Sequence, residues 1–497
     1  MSNSFYIILL LLSSFVPALI IFILKEEQYY LRNFFNLIGI FFKLFFVFFL
    51  IKAVLNNEEF VFRYEFIKDL EFVLKVDYLS LLFSTLSSIL WLFTTFYAIG
   101  YLKNSAFQSR FFGFFSLCVT ATVGLSMAGN LFTFFLFYEF LTLVTIPLII
   151  HNQNLESKKA LIIYLKYTIF GGVMFLAGIS LLYSQTGSVE FVSGGYLDQY
   201  TQTTPLFWQI SFVILILGLG VKAAIFPLHG WLPNAMAAPA PVSALLHAVA
   251  VVKAGAFGII RVVYEVYGIN FIQELNLLNF LMIISCVTIL YGSVMALYQT
   301  DIKKLLAYST VSQVSYIILG VSIFGAFGTI GGMVHLVHQG VMKITLFFCA
   351  GAFALTYGIK KIEQMNGLGK LMPLSSIAFT IAALGMIGLP PTAGFMTKWY
   401  LSLGSIDNQL WIVLVVLALS SLLNAAYFLP LVYRIWFLSP ILQNKQIESY
   451  KGFESSLLLV LPLVFTAILT LLLGIFAFSD YSALRWVIDI VKMEYSS

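Results

Sequence analysis

The sequence predicts an all-α polytopic membrane protein of about fourteen transmembrane helices, and three observations carry that prediction. Of its 497 residues 61% are hydrophobic and only 10% are charged, against roughly 25% charged in soluble domains. Apolar runs of roughly twenty residues, enough to cross a bilayer, begin near residues 5, 34, 78, 111, 130, 160, 206, 240, 275, 303, 327, 374, 409 and 455. The connections between them are short, apart from Asn56 to Asp77. No soluble domain fits in any connection, so no cofactor is expected and any redox chemistry belongs to another polypeptide. The formal net charge of +5 belongs to loop topology and gives no reason to expect nucleic acid as a partner.

The first run, Phe5 to Leu24, has no basic segment before it and no small-residue cleavage site; it reads as a retained first span. Basic residues then follow spans 1, 3, 5, 9, 11 and 13: Lys25 and Arg32, Lys103 and Arg110, Lys158 and Lys159, Lys303 and Lys304, Lys360, Lys361 and Lys370, Lys445 and Lys451. The loops after spans 4, 6, 10 and 12 have none. Basic loops stay on the cytoplasmic side, which predicts an inner (cytoplasmic) membrane protein with both termini outside. The connection after span 2 breaks the pattern with Lys52, Arg63, Lys68 and Lys75, loosely offset by acids that include Asp69 and Glu71.

Span 5, FLFYEFLTLVTIPLII, carries Glu139 as its single charge. A carboxyl there is either protonated or paired with a buried cation, and its natural partner is Lys222 in span 7. Lys222 and Lys253 flank a linker containing Pro227, Pro233, Pro239 and Pro241. A lysine at the centre of a membrane helix costs roughly 2.5–3.5 kcal/mol, and proline frees backbone carbonyls by breaking the helix. Buried cations beside broken helices read as an ion pathway. His247 precedes Lys253 by six residues, about 120° apart on an α-helix, hence on neighbouring faces.

Span 11, GGMVHLVHQGVMKITLFFCAG, holds His335, His338, Gln339 and Lys343. Positions 335, 339 and 343 step by four and line one face, with His338 beside them. Such a stripe suits a proton or water path; Lys343 has the alternative of snorkelling to the headgroups. Two histidines three apart with no acid or cysteine near them make a poor metal site, so no metal is expected. Span 12 breaks at Gly388 to Gly394, through Pro390 and Pro391, just before Lys398. Spans 7 and 12 thus each pair a lysine with a break, five spans apart. An odd offset inverts one copy relative to the other, the mark of a transport site.

Other features carry less. Gly218, Gly220 and Ala223 match a dinucleotide-binding spacing but lie inside an apolar span with no strand before them. Cys118, Cys286 and Cys349 are isolated core residues, Lys166 is interfacial, and Gly328, Gly331 and Gly332 suit close helix packing.

Five stretches together, FYEFLTLVTIPL, KAAIFPLHGWLPNAMAAPAPVSALL, DIKKLLAYSTVSQVSY, HQGVMKITLFFCAG and GLPPTAGFMTKWYL, resemble the antiporter-like family shared by respiratory complex I, Mrp-type Na+/H+ antiporters and membrane-bound hydrogenases. The resemblance covers roughly Phe111 to Arg434. It implies inverted five-helix repeats, spans 4–8 and 9–13, each holding a half-channel, with broken helices 7 and 12. The chain then divides into 1–110 (spans 1–3), 111–264 and 275–436 (the repeats) and 437–497 (span 14 and an interfacial tail). By motif, Glu139 and Lys222 match the first-channel pair, Lys253 the connecting lysine and Lys398 the second-channel lysine.

Lys398 stands where the M-type subunit of complex I has glutamate. The chain has no room after span 14 for the long lateral helix of the L-type. His338, five residues before Lys343, looks like the Mrp D subunit, while His247 resembles L-type sequences. The expected function is a proton-translocating subunit of a multisubunit Na+/H+ antiporter, working beside other membrane subunits in the lipid bilayer on H+ and potentially Na+. Alternatives are a pumping subunit of NADH:quinone oxidoreductase or of a membrane-bound hydrogenase, where the enzyme chemistry sits elsewhere, and a non-conducting scaffold.

Overall fold

A computed structural model describes residues 4–67, 70–200, 204–440 and 454–496. Lys68 and Asp69 of the span-2 connection, and Lys445 and Lys451 of the last basic loop, lie outside the described residues. The helices in order are α1 (Ser4–Ile23), α2 (Tyr29–Leu55), α3 (Tyr78–Tyr101), α4 (Gln108–Ser126), α5 (Leu131–Ile149), α6 (Leu155–Thr186) and α7 (Pro205–Ala223). Next come α8 (Ala240–Tyr267), α9 (Leu277–Leu297), α10 (Ile302–Ser322) and α11 (Ala326–Tyr357). Then α12 is broken into Pro373–Ile387 and Ala393–Asp407, followed by α13 (Trp411–Phe437), α14 (Leu457–Ile475) and α15 (Ala483–Ser496).

Among the described residues 13 helices are long and apolar enough to cross a membrane. The fourteenth expected span is α12, whose two halves fall short because the Gly388–Thr392 break divides them. Helix starts follow from polar caps: Asp77 and Ser80 form a reciprocal capping box on α3, and Asn130, Asn154 and Asp301 accept from the third residue of α5, α6 and α10. Burial sorts the bundle. The spanning window of α8 is 100% buried, and those of α2 and α6 are 33% buried; α8 is therefore the central pillar, with α2 and α6 on the lipid side.

The departure from an all-helical chain is the connection after α2. There β1 (Phe60–Ile67) and β2 (Leu70–Val76) pair antiparallel, Phe60 opposite Val76. Alternate residues Phe72, Leu74 and Val76 supply a strand's apolar face, and the hairpin is fastened beneath α5 by Lys75 N–H to Met127 O (2.7 Å), Gly129 N–H to Val73 O (2.8 Å) and Asn130 Nδ2 to Glu71 O (2.9 Å). One of the basic residues that break the loop pattern is neutralised there. Arg63 is ion-paired with Glu71 (2.7 Å) and Glu190 (2.5 Å).

The connections after α3, α5, α7, α9 and α11 converge on one face. They enclose an open cavity of about 650 Å³ lined by Ser105, Asn152, Ala238, Asp301, Lys303 and Lys360 among others. The hairpin, the connection after α6 and α15 meet at the opposite end: Val192 N–H bonds Glu265 O, Trp486 Nε1 donates to Tyr78 O (2.8 Å), and Gly194 N–H donates to Glu494 (3.3 Å).

Candidate functional site

Lys222 occupies the last turn of α7 and is fully buried. Its Nζ donates to the backbone carbonyl of Tyr138 in α5 and lies 3.4 Å from the centroid of the Tyr138 ring, a cation–π geometry. The Tyr138 hydroxyl donates back to Gly218 O (2.8 Å), so one residue ties α5 to α7 twice. Glu139, the next residue, has a buried Oε1 with no hydrogen-bond partner among the described residues. No ion pair among the described residues joins it to Lys222; the lysine is held through Glu139's neighbour. Room for the carboxylate comes from Gly172 of α6, where a Cβ would stand 2.6 Å from Oε1.

The chain leaves α7 through Ala224, which has a left-handed φ of 56°. Beyond the break at Pro227, the indole of Trp231 turns back to Val221 O (2.7 Å), satisfying a carbonyl the interrupted helix leaves over. α8 is irregular as well. A π stretch runs over Leu245–Val249, and Ala250 departs from helical angles at φ −115°, ψ −83°. The 120° relation between His247 and Lys253 assumed an unbroken α-helix, so it does not hold here. Both ring nitrogens of His247 and the Nζ of Lys253 are buried without a hydrogen-bond partner among the described residues. Gly255 lets α8 pass against the end of α7, since a Cβ there would lie 2.2 Å from Ala223 N.

In α11 the partnership differs from the four-step stripe. His335 and His338 share one hydroxyl, each Nδ1 lying 3.1 Å from Thr397 Oγ1 of α12. Their Nε2 atoms and the whole Gln339 amide have no hydrogen-bond partner among the described residues. Lys343 does not snorkel: it is fully buried and donates to Leu306 O (3.1 Å) and to Ser309 Oγ of α10.

Lys398, one turn into the second half of α12 and partly buried, donates across the break to Ile387 O (2.5 Å) and to Ser421 Oγ of α13 (2.8 Å). The Tyr316 ring lies 5.6 Å from its Nζ. Gly388, at φ +92°, makes space for the side chain, because a Cβ there would fall 2.6 Å from Lys398 Cδ. Asn424 Nδ2 donates to Met386 O (3.2 Å), next to the same break at Pro390 and Pro391.

Sequence reasoning missed Tyr138, Trp231, Tyr316, Thr397, Ser421 and Asn424, which are neutral and common in membrane helices. It also passed over Lys43 of α2, an isolated lysine in an apolar run and therefore a visible signal. Among the described residues no group of three or more His, Cys, Asp or Glu gathers as a metal site would require, and Cys118, Cys286 and Cys349 are free thiols.

Comparison with known proteins adds to this geometry. The family model for NADH:quinone oxidoreductase/Mrp antiporter transmembrane proteins matches residues 128–424, a stretch that holds every candidate residue above except Lys43. NADH-quinone oxidoreductase subunit N of Desulforudis audaxviator is 36% identical over 328 residues, covering 65% of this chain and 64% of that protein. A putative antiporter subunit mnhA2 of Staphylococcus aureus is 33% identical over 350 residues, covering 66% and 42%. The chain thus spans just under two thirds of the first relative and about two fifths of the second. In fold it is similar to chains in the Mrp complex from Dietzia sp. DQ12-45-1b (TM-score 0.85, 22% identity, 100% and 99% covered) and in the archaeal membrane-bound sulfane sulfur reductase (TM-score 0.85, 23% identity, 99% and 98% covered). The matched stretch is more than half of the chain, and the chain belongs to the NADH:quinone oxidoreductase/Mrp antiporter transmembrane family.

Proposed function

We propose that this chain is a proton-translocating subunit of a multisubunit cation/proton antiporter, with Glu139, Lys222, Lys253 and Lys398 binding the proton in turn and His247, His335, His338 and Lys343 serving the path between them. The observation that supports it most is the pair of lysines beside helix breaks, Lys222 and Lys398, each bonded to a backbone carbonyl and not to a carboxylate. Burial disfavours the charged form of a lysine and a nearby carboxylate favours it. A small change in the separation of Glu139 and Lys222 is then enough to load and unload a proton. Residues 111–264 and 275–436 form the two half-channel units in this reading, and other membrane subunits flank them. Na+ is the expected counter-ion.

The face with the 650 Å³ cavity carries the basic loops, so it is the cytoplasmic side of the inner membrane in this reading, and both termini lie outside. A second reading has its own support: the subunit N relative is the more similar of the two and is covered over a larger share of its length. In that case redox chemistry in other subunits of a respiratory complex drives the same path.

The deciding experiment is proton flux in vesicles carrying the assembled complex. Glu139→Gln and Lys222→Met each abolish flux while assembly persists; near-normal flux in assembled Glu139→Gln overturns the proposal. Flux driven by a Na+ gradient favours the antiporter, and flux that requires NADH or another electron donor favours the second reading. A cysteine introduced at Lys304 stays unlabelled from outside in sealed cells; ready labelling overturns the topology.

A further inference from the structure

Lys43 lies outside the family-matched stretch, in α2, and is fully buried. Its Nζ donates to Leu10 O of α1 (2.9 Å) and stands 5.9 Å from the centroid of the Trp91 ring in α3. Among the described residues no carboxylate pairs with it. This is the setting of Lys222 and Lys398: a helix carbonyl for the ammonium, an aromatic face beside it, no ion pair. A lysine placed so in a membrane helix costs roughly 2.5–3.5 kcal/mol relative to an apolar residue, and tying α1 to α2 does not need it. Gly39 already brings the two helices into contact, a Cβ there falling 2.6 Å from Ser13 O.

α3, on the other side of Lys43, supplies a second and independent observation. Ser87 Oγ, Trp91 Nε1 and Thr95 Oγ1 are buried polar atoms without a hydrogen-bond partner among the described residues, and their residues are fully buried. Steps of four put them on one face of the helix. Each such group costs about 1–3 kcal/mol if left unsatisfied, and bound water is what satisfies such buried groups in protein interiors. The same helix reaches the central bundle, through Tyr97 OH to Phe348 O of α11 (2.8 Å) and Phe83 against Phe257 of α8 (centroids 4.9 Å apart). These are the helices of His335 and Lys253.

We propose that Lys43 is a further proton-binding site, exchanging protons with the central route through water held along the Ser87, Trp91 and Thr95 face of α3. The proposal rests on the proton-translocating reading above. It makes the first three helices part of the conducting structure.

The test is proton flux in vesicles with the assembled complex, with Glu139→Gln as control. Lys43→Met loses most of the flux at normal assembly. Lys43→Arg loses it too, because a guanidinium keeps the charge but does not release its proton; a lysine that only held α1 to α2 loses assembly, and not flux per assembled complex, when it is replaced. Full flux in assembled Lys43→Met or Lys43→Arg overturns the proposal. If neither assembles, Ser87→Ala combined with Thr95→Val decides: it nearly keeps the volume and removes two of the three polar atoms, and unchanged flux overturns the proposal. Normal flux in Glu139→Gln overturns the translocation reading itself, whereas loss there with full flux in the Lys43 variants removes only this site.

Discussion

Lys222 and Lys398 solve one problem in two ways. Lys222 precedes its break and reaches across to a carbonyl of α5, in the residue adjacent to Glu139. Lys398 follows its break and reaches back to Ile387, in the first half of its own helix. The first lysine is therefore sensitive to how α5 and α7 sit against each other, and it has a carboxylate close by. The second closes its own helix, with Ser421 as its other partner and an imidazole pair on Thr397 in place of an acid. A break supplies the acceptor only for Lys398; Lys222 takes its acceptor from the neighbouring helix, in the residue before the Glu139 carboxyl.

The sharpest way to break this comparison is to remove that charge. Glu139→Gln and Lys222→Met are each expected to lower proton flux on the order of a hundredfold or more, the range for losing a proton-transferring group. If the two act as a unit, the double variant is no worse than either single one. It also assembles better than Glu139→Gln alone, which leaves a cation without compensation. Additive losses in the double variant separate the two residues and make the halves alike.

Lys398→Ala comes next. Its partners are neutral, so flux falls while assembly is kept, and Lys398→Glu is worse than Lys398→Gln because it reverses the charge. Equal flux in the Glu and Gln variants shows that charge at this position is immaterial. Smaller again is Thr397→Val, which takes one hydroxyl from two imidazoles; the expected cost is about 1 kcal/mol in stability and a few-fold in flux. Flux unchanged in Thr397→Val removes the histidine pair from the path.

The charged members of both halves were legible because a lysine or glutamate in an apolar run is conspicuous. Their partners were not. Which carbonyl a lysine meets depends on where a helix breaks and how its neighbour is rotated, and Tyr138 or Ser421 carries no mark of that in its own stretch. The π stretch over Leu245–Val249 has no compositional signature. The hairpin did have one, in FVFRYEFI and LEFVLKV, but its interleaved charges read as a loop. The snorkelling alternative for Lys343 failed because Ser309 and Leu306 of α10 offer acceptors inside the bundle.

The smallest expected effect lies away from both lysines. Arg63 hydrogen-bonds Glu190 and holds its carboxyl below the usual glutamate range. Both groups are well exposed, so Arg63→Ala costs under about 1 kcal/mol. A carboxyl with a lowered folded pKa contributes its stability above the unfolded value, about 4.3, and loses it as pH falls through the folded value. Thermal unfolding at pH 7 and pH 3 checks this: the difference between wild type and Arg63→Ala is present at the first and shrinks at the second. A large loss of flux in Arg63→Ala contradicts the placing of translocation at the two breaks.

Gly172 and Gly388 give the bundle a mechanical handle on its own electrostatics. Each is the floor beneath one titratable side chain, Oε1 of Glu139 in the first case and the stem of Lys398 in the second. A methyl added at Gly172 displaces the Glu139 carboxyl without altering any charged residue, much as a shim moves an electrode; at Gly388, with φ +92°, the same methyl also strains the backbone. Gly172→Ala thus separates position from charge, a distinction that substituting Glu139 itself never makes.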